Sequence, residues 1–135
     1  MKSFEHIFQV PFHELDPGGV MFHAHLFSHA HNAYAALLSE AGYSLKTILL
    51  AGDYLVPLVH AEADYLHPLL LDDRVCITVA LASANNSSLS FSYKFYKDDM
   101  LCATAATTHV FLRKGSRTPV AIPEKLRQGL RDYPS

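Results

Sequence analysis

The chain has 135 residues, of which half are hydrophobic and 18% carry a charge, and its formal net charge is −2 at pH 7. A chain of this length and composition can bury a hydrophobic core, so we expect one folded domain over residues 1–135 and exclude a disordered protein. The lysines and arginines are scattered along the sequence, which excludes the basic face that a nucleic-acid partner requires.

The first predicted element is a β-strand over residues 4–13. Apolar side chains recur there at every second position, with His6 completing the row, which is the period of a strand with one apolar face. Pro11 indicates a sheet edge or a bulge, because proline cannot donate to a ladder. The same segment lacks the unbroken apolar run of a secretory signal, and no stretch approaches the length of a membrane span. We therefore expect a cytoplasmic protein without a membrane partner.

A long helix is predicted next, beginning near Ala24 or His25 and ending at Ala41. An Asp-Pro-Gly-Gly turn at residues 16–19 precedes it. Its apolar residues follow the helical period and form one stripe, with two further members at its flank: Leu26, Ala30, Ala33, Leu37 and Ala41, then Tyr34 and Leu38. Gly42 is the natural C-terminal cap.

A short helix and a set of strands are predicted for the rest of the chain. Ser44 can cap a helix that runs through Ala51 and ends at Gly52. Hydrophobicity then alternates with a period of two, which predicts four strands: residues 54–67, 73–83, 88–97 and 100–113. The polar turns between them are too short for parallel crossovers, so the strands should pair antiparallel. A final helix is expected to begin at Pro123.

These elements together predict an α+β fold. A sheet of about five strands with one apolar face needs a cover, and the long helix has a stripe suited to that role. We expect the sheet to wrap around this helix. Cys76 and Cys102 lie singly within apolar strand-like runs and are interpreted as buried core residues, not as a disulfide or a metal site.

Reactive side chains concentrate in residues 13–34, HELDPGGVMFHAHLFSHAHNAY. Asp16 lies at a turn, and a purely structural role is one interpretation, because Asp, Pro and Gly all favour turns. The alternative follows from the nearby helix start, where free N–H groups near His23 and Ala24 can receive a developing oxyanion. A neighbouring carboxylate can then attack a carbonyl or activate water. The glycines either let a substrate approach the backbone closely or serve only as a flexible connection to the helix.

The four histidines within residues 23–31 suggest a metal site, which we do not expect. His25 and His29 are one helical turn apart, but HLFSH lacks the Glu of metalloproteases, and no third ligand is placed by spacing. We place these two histidines on one flank of the helix and His31 near the apolar stripe on the other. Such boundary histidines are more often hydrogen-bonded structural residues than catalysts. His23, which we place just before the helix, is the functional candidate, and no cofactor is expected.

The segment ELDPGGVMFHAHLF resembles the signature of the 4-hydroxybenzoyl-CoA thioesterase family of hotdog-fold proteins. Two later segments, ADYLHPLLLDDRVCITV and RTPVAIPEKLRQGL, resemble the same family, so the likeness covers nearly the whole chain. It implies a curved antiparallel sheet around a central helix. It also implies protomers joined edge to edge as a homodimer or homotetramer, with active sites at the dimer interface. The implied activity is hydrolysis of a short-chain acyl-CoA or aryl-CoA thioester to the free acid and CoA.

The resemblance also implies roles for individual residues. Asp16 is the expected catalytic carboxylate, as nucleophile or general base, and the backbone N–H of His23 is expected to polarise the thioester carbonyl. Substrate-binding residues are expected beside them: Gly18, Gly19, Val20, Ala24 and His31. CoA-binding residues are expected elsewhere: Asn86, Ser87 and Arg113. Residues 83–88, SANNSS, stand where several relatives have a basic loop, and Lys114 or Arg117 can add charge near the CoA phosphates.

Two features indicate different acyl groups. A histidine at position 23 resembles the Tol-Pal-associated branch, which acts on short acyl-CoAs. The AHNAY segment at residues 30–34 instead resembles the HEAY segment of 1,4-dihydroxy-2-naphthoyl-CoA thioesterases of quinone biosynthesis. Three other functions remain as rivals: a hotdog hydratase or dehydratase, a non-catalytic acyl-CoA binding module, and a zinc-binding structural protein. The hydratase is disfavoured because its usual Asp and His are closer in sequence than Asp16 and His23.

Overall fold

The computed structural model describes residues 3–134 of the chain. Its helices are α1 His23–Glu40, α2 Leu45–Ala51 and α3 Glu124–Leu130. Its strands are β1 Phe4–Gln9, β2 Tyr54–Leu55, β3 Leu58–Tyr65, β4 Arg74–Ala84, β5 Ser88–Lys97, β6 Met100–Val110 and β7 Leu112–Arg113. A short 3-10 turn spans Phe12–Glu14. Within this part of the chain no helix is both long and apolar enough to cross a membrane.

Five of the strands form one antiparallel sheet in the order β1-β4-β5-β6-β3. The two edges of the sheet are therefore β1 and β3, while β2 and β7 pair separately as a small two-stranded sheet. The predicted α+β class is confirmed, as is the antiparallel pairing of the long strands.

Helix α1 supplies one layer of the core and the sheet supplies the other. The buried residues of α1 recur at helical spacing, and those of β4 and β5 alternate along each strand. Tyr34 of α1 meets Phe91 of β5 edge-on, with ring centroids 5.2 Å apart. Each fully buried Leu, Ile or Phe side chain contributes roughly 1.5–3 kcal/mol. The apolar patterns that predicted these elements are therefore the same patterns that hold them together.

The ends of the two first helices follow local chemistry. Gly42 takes a φ of 88°, its N–H donates to Ser39 O, and the N–H of Tyr43 donates to Leu38 O. This is a Schellman end, which requires a left-handed residue at that position. At α2, Ser44 Oγ accepts the N–H of Thr47, as predicted for a serine cap.

Three of the predicted strands have different bounds in the structure. The strand predicted over residues 4–13 ends at Gln9, and the chain then turns, which leaves Phe12 78% exposed. The strand predicted over residues 54–67 is divided, because Pro57 lacks an N–H and lies between β2 and β3. The strand predicted over residues 100–113 is divided by Phe111, whose N–H donates to Ser87 O outside the sheet ladder.

The two cysteines have different surroundings. Cys102 is fully buried, as predicted, but the prediction that Cys76 is a core residue is wrong. Cys76 alternates with the buried Val75 and Ile77 along β4, so it lies on the face of the sheet away from α1. Its thiol is only partly buried, and burial together with the Glu5 carboxylate raises its pKa.

Candidate active site

The loop before α1 is a narrow hairpin over residues 14–22. The N–H of Asp16 donates to Val20 O at 2.8 Å, and the N–H of Phe22 donates to Glu14 O at 2.7 Å. The predicted Asp-Pro-Gly-Gly turn forms the tip of this hairpin. Backbone hydrogen bonds on both sides of the turn therefore fix its shape.

The returning arm of the hairpin is attached to the segment after β3. The N–H of Met21 donates to Leu69 O at 2.8 Å, and Val20 forms a bridge with Leu70. Met21 and Leu69 are both buried in the core. The loop that carries Asp16 is thus anchored to the body of the protein.

The Asp16 side chain is held by one of its two oxygens. Oδ1 accepts the N–H of Gly18 at 2.8 Å and, more weakly, the N–H of Val20 at 3.4 Å. Within residues 3–134, Oδ2 has no hydrogen-bond partner. A Cβ at position 18 would lie 3.1 Å from Oδ1, and Gly19 takes a φ of 79°. The glycines therefore shape the turn and leave Oδ2 available as a nucleophile or a base.

Helix α1 begins at His23, one residue earlier than predicted, so His23 is the first residue of the helix and does not precede it. Its N-cap residue is Phe22, which provides no side-chain hydrogen bond, and the first turn contains no acidic residue. The N–H of His25 donates to Phe22 O, but no hydrogen bond in the described part of the chain uses the N–H groups of His23 and Ala24. Two free N–H groups at a helix N-terminus can stabilise a developing oxyanion.

A cavity of about 350 Å³ contains both features. Asp16 and His23 line it from the hairpin and the helix start, together with Val20 and Met21. The segment at residues 65–69 and Ala103 of β6 complete its lining. The structure therefore brings the predicted catalytic pair together in one largely apolar cavity.

Two residues of this cavity were missed at the sequence level, Tyr65 and His67. The hydroxyl of Tyr65 donates to the backbone oxygen of His23 at 2.7 Å, which ties the end of β3 to the first turn of α1. Burial raises the pKa of Tyr65, so its hydroxyl remains a donor. The backbone N–H of His67 donates to Cys102 O. Both residues lie in the segment ADYLHP, which resembles the thioesterase family, but the resemblance implied no role in the site for either of them.

Of the five predicted substrate-binding residues, only Val20 lines the cavity. Gly18 and Gly19 shape the turn that carries Asp16. Ala24 has a free backbone N–H group at the helix start, but it does not line the cavity. His31 is exposed two turns along α1, with its ring 5.6 Å from that of Tyr34. Gly18, Gly19, Ala24 and His31 do not line this cavity in one chain, and their substrate-binding role stays a prediction.

The three predicted CoA-binding residues also lie away from this cavity. The backbone oxygen of Asn86 accepts the N–H of Ile122, and that of Ser87 accepts the N–H of Phe111, so their loop is packed near the C-terminal segment. Arg113 belongs to β7 and is paired with Tyr54. The three residues do not line the cavity that contains Asp16, and their CoA-binding role stays a prediction.

Residues 10–130 match the thioesterase-like superfamily. The chain belongs to this superfamily. A protein of Crocosphaera subtropica named 1,4-dihydroxy-2-naphthoyl-CoA hydrolase is 31% identical over 125 residues, which cover 90% of this thioesterase-like chain and 91% of the relative. A protein of Microcystis aeruginosa with the same name is 30% identical over 117 residues, covering 87% of this chain and 85% of the relative.

The crystal structure of a 1,4-dihydroxy-2-naphthoyl-CoA thioesterase from Synechocystis has the same fold. Its TM-score with the thioesterase-like chain is 0.91 at 27% identity, and the match covers 98% of this chain and 100% of the other. The predicted hotdog fold is therefore confirmed. The expected relationship to the 4-hydroxybenzoyl-CoA thioesterase family is confirmed at the level of the thioesterase-like superfamily.

Among the described residues of the thioesterase-like chain there is no group of three or more His, Cys, Asp or Glu side chains that could hold an ion. Of the helix histidines, His29 is buried, and its Nε2 lies 2.7 Å from Glu14 Oε1. It is therefore a hydrogen-bonded residue, as predicted for a histidine at the boundary of the apolar stripe. Its ring stacks on that of Phe8 at 3.6 Å. The 3-10 turn before the hairpin brings Glu14 to this side of the helix.

A second polar cluster lies between α1 and the sheet. The Tyr34 and His109 rings stack at 4.0 Å, and Thr107 Oγ1 lies 3.0 Å from His109 Nε2 and 2.6 Å from the Tyr93 hydroxyl. Burial, with a smaller contribution from His31, lowers the pKa of His109 to about 4. His109 is therefore neutral at physiological pH. This cluster could not be predicted from the sequence, because its members come from three separate elements, α1, β5 and β6.

Proposed function

We propose that this protein hydrolyses the thioester bond of an acyl-CoA or aryl-CoA, releasing the free acid and CoA. The observation that carries the proposal is one cavity lined both by Asp16, whose Oδ2 is free, and by His23, the first residue of α1. The relatives named 1,4-dihydroxy-2-naphthoyl-CoA hydrolase, at 30% and 31% identity, support the same activity.

In the proposed mechanism, the N–H groups at the start of α1 and the Asp16 carboxylate act together on the thioester carbonyl. The thioester carbonyl oxygen accepts hydrogen bonds from the N–H groups of His23 and Ala24, which stabilise the negative charge that develops on it. Asp16 either attacks the carbonyl carbon to give a mixed anhydride, which water then hydrolyses, or removes a proton from an attacking water. In both routes the C–S bond breaks and CoA leaves as a thiolate. No step needs a cofactor.

For the acyl group, we propose an aryl substrate, with 1,4-dihydroxy-2-naphthoyl-CoA as the first candidate. Both relatives cited above carry this substrate in their names, and the Synechocystis thioesterase, at 27% identity, carries it too. A 4-hydroxybenzoyl group belongs in the same test, because the sequence motif resembles that family. A short acyl chain is the second candidate, since it is the acyl group suggested by His23.

We further propose that the active unit is a homodimer or homotetramer. β3 is an edge strand of eight residues whose side chains are almost all exposed, including Leu58, Val59 and Tyr65. An unpaired edge of this length, with exposed apolar side chains among its residues, is a template for pairing with a second chain. Pairing of two β3 strands would bring another copy beside the cavity, and the proposed CoA contacts of Asn86, Ser87 and Arg113 would then come from that copy. The proposal treats residues 1–135 as one domain that acts on cytoplasmic CoA thioesters.

The test is a comparison of wild type with Asp16→Asn on a panel of aryl-CoA and short acyl-CoA thioesters, with free thiol as the readout. The amide keeps the size of the side chain but is a poor nucleophile and base, so kcat should fall by about 1,000-fold or more. Asp99→Asn, on the exposed turn after β5, is the matched control and should behave as wild type.

The two parts of the proposal fail in different ways. Equal rates for Asp16→Asn and wild type would remove Asp16 from the mechanism. A wild-type protein that releases no thiol from any member of the panel would overturn the hydrolase function itself.

A further inference from the structure

Glu14 and His29 form a buried polar pair directly behind the hairpin. Both residues are 8% exposed, and Oε1 of Glu14 lies 2.7 Å from Nε2 of His29. The His29 ring stacks on Phe8 at 3.6 Å, while the other carboxylate oxygen lies 3.9 Å from the exposed His13. Neither Glu14 nor His29 lines the cavity. The pair therefore has no direct contact with the proposed reaction, and its role needs another explanation.

Glu14 attaches the hairpin to α1 at two points. Its backbone oxygen accepts the N–H of Phe22, the residue that precedes the helix, at 2.7 Å. Its side chain reaches His29 in the second turn of the same helix. Asp16 follows Glu14 by two residues. Glu14 therefore joins the hairpin that carries Asp16 to two places on or beside α1.

No other side-chain hydrogen bond within residues 3–134 joins the segment 12–20 to α1. The other attachments of the hairpin are backbone hydrogen bonds to residues 69–70 and to Phe22, and apolar packing of Leu15 and Met21 against the core. The Glu14–His29 contact is therefore the directional side-chain link between the segment 12–20 and α1.

Stability alone does not account for a polar pair at this place. Replacing both partners of a buried hydrogen bond by apolar residues of the same shape is often nearly neutral or stabilising. His29 Nδ1 is also buried, and it has no hydrogen-bond partner in the described part of the chain. Without a partner, Nδ1 is either an unpaired N–H donor or an unpaired acceptor, and the unpaired acceptor costs less. The ring proton is therefore assigned to Nε2, which donates it to the Glu14 carboxylate. A directional hydrogen bond fixes the distance between the hairpin and α1 more strictly than apolar packing does.

We propose that Glu14 and His29 are positioning residues for thioester hydrolysis. Their hydrogen bond sets the distance between Asp16 Oδ2 and the N–H groups of His23 and Ala24. This inference rests on the proposed function of that site. A displacement of about 1 Å between reacting groups can reduce a rate by about 100-fold, so the effect of losing the pair should be large.

The first experiment replaces the pair by apolar residues of similar size, in the double variant Glu14→Met/His29→Phe. This variant should fold with a Tm close to that of wild type. We expect kcat on the best acyl-CoA of the panel to fall at least about 10-fold while KM changes less than about 3-fold, because only the transition-state geometry is lost. Glu40→Met, at the exposed end of α1, is the matched control and should keep wild-type kinetics.

Two single variants refine the test. Glu14→Gln keeps an oxygen that accepts the His29 N–H, so its kcat should stay within about 3-fold of wild type. Glu14→Asp keeps the charge but shortens the side chain by one methylene, so its kcat should fall while KM is retained. Wild-type kcat in the double variant, or in Glu14→Asp if the double variant does not fold, would overturn the proposal. A loss in Glu14→Gln as large as that in the double variant would also overturn it.

Hydrogen exchange separates this inference from the proposed function. The amide of Phe22, which donates to Glu14 O, should exchange faster in the double variant than in wild type or Glu40→Met. If the wild type hydrolyses no acyl-CoA, the proposed function fails, and the exchange rate of Phe22 alone decides whether the pair holds the hairpin. Unchanged exchange at Phe22 would contradict the positioning role whatever the activity.

Discussion

At the scale of single residues, Asp16 has two oxygens in different situations. Oδ1 is occupied by the N–H groups of Gly18 and Val20, and Oδ2 is left without a partner in residues 3–134. The occupied oxygen fixes the rotation of the carboxylate, so the free oxygen has a defined direction before any substrate binds. Preorganisation of this kind lowers the entropy cost of reaching a reactive geometry.

His109 gives a prediction for the pH dependence of stability. Its folded pKa of about 4 lies below the ordinary value of 6.5, chiefly because the ring is buried. The unfolded chain therefore binds a proton as the pH falls below 6.5, while the folded chain does not until about pH 4. The free energy of unfolding should decrease across this window, and His109→Gln should remove that part of the decrease.

The measurement is urea unfolding at several pH values between 7.5 and 4. The unfolding free energy of wild type minus that of His109→Gln should decrease as the pH falls, whatever its value at neutral pH. His13→Gln, an exposed substitution in the 3-10 turn, is the control and should leave the wild-type slope unchanged. Parallel curves for wild type and His109→Gln would show that His109 is not the responsible group.

At the scale of elements, the packing of α3 on α1 depends on a glycine. A Cβ at Gly129 would collide with the backbone oxygen of Ala41 at the end of α1 and lie 3.0 Å from its Cβ. Alanine is the better helix former by about 1 kcal/mol, which alone would stabilise α3. The collision involves backbone atoms that cannot move aside easily, so we expect it to dominate.

Gly129→Ala should therefore destabilise the protein by about 1–3 kcal/mol, as overpacking usually does. Chemical denaturation of wild type and variant provides the measurement. Gly115→Ala is the matched control, because a Cβ there meets nothing within 4 Å and the change should stay within about 0.5 kcal/mol. A stabilised Gly129→Ala variant would mean that α3 moves away from α1 freely.

The elements that the sequence predicted well are those decided by neighbouring residues. Gly42 and Ser44 act at the helix ends as expected, and period-two alternation located β4 and β5 almost to the residue. The errors occur where distant contacts decide the outcome. Residues 12–14 turn away from the sheet because Glu14 pairs with His29, fifteen positions later. Pro57 marks a division of its strand that alternation alone did not reveal.

The same distinction applies to the candidate site. Asp16 and His23 could be predicted because one continuous motif contains both the turn and the helix start. Tyr65 could not, because its hydrogen bond to His23 O joins residues 42 positions apart. The proposed CoA contacts could not be placed either, since in one chain Asn86 and Arg113 lie away from the cavity.

At the scale of the whole molecule, the exposed edge at β3 determines the assembly we expect. Val59 is 57% exposed on this edge, and a lysine there would put a charged side chain on the edge strand, which opposes strand pairing. Val59→Lys should therefore shift the protein from dimer or tetramer to monomer. Its thioesterase rate should fall at least about 10-fold, because the proposed CoA contacts come from the second copy.

Sedimentation or light scattering, together with the thiol assay, gives the measurement. Leu50→Lys is the matched control, since Leu50 is 76% exposed on α2 and away from the β3 edge. An unchanged oligomer in Val59→Lys would refute pairing through β3. A fully active monomer would instead refute the requirement for a second copy.

The start of α1 has a further consequence for ligand binding. A helix that lacks a side-chain cap is less stable by about 1 kcal/mol than one with a serine or aspartate at that position. A bound carbonyl or carboxylate oxygen at the N–H groups of His23 and Ala24 would act as the missing cap. Substrate and product should then stabilise the first turn of α1 as they bind, so the N–H groups of His23 and Ala24 gain their hydrogen-bond partners when the cavity is occupied.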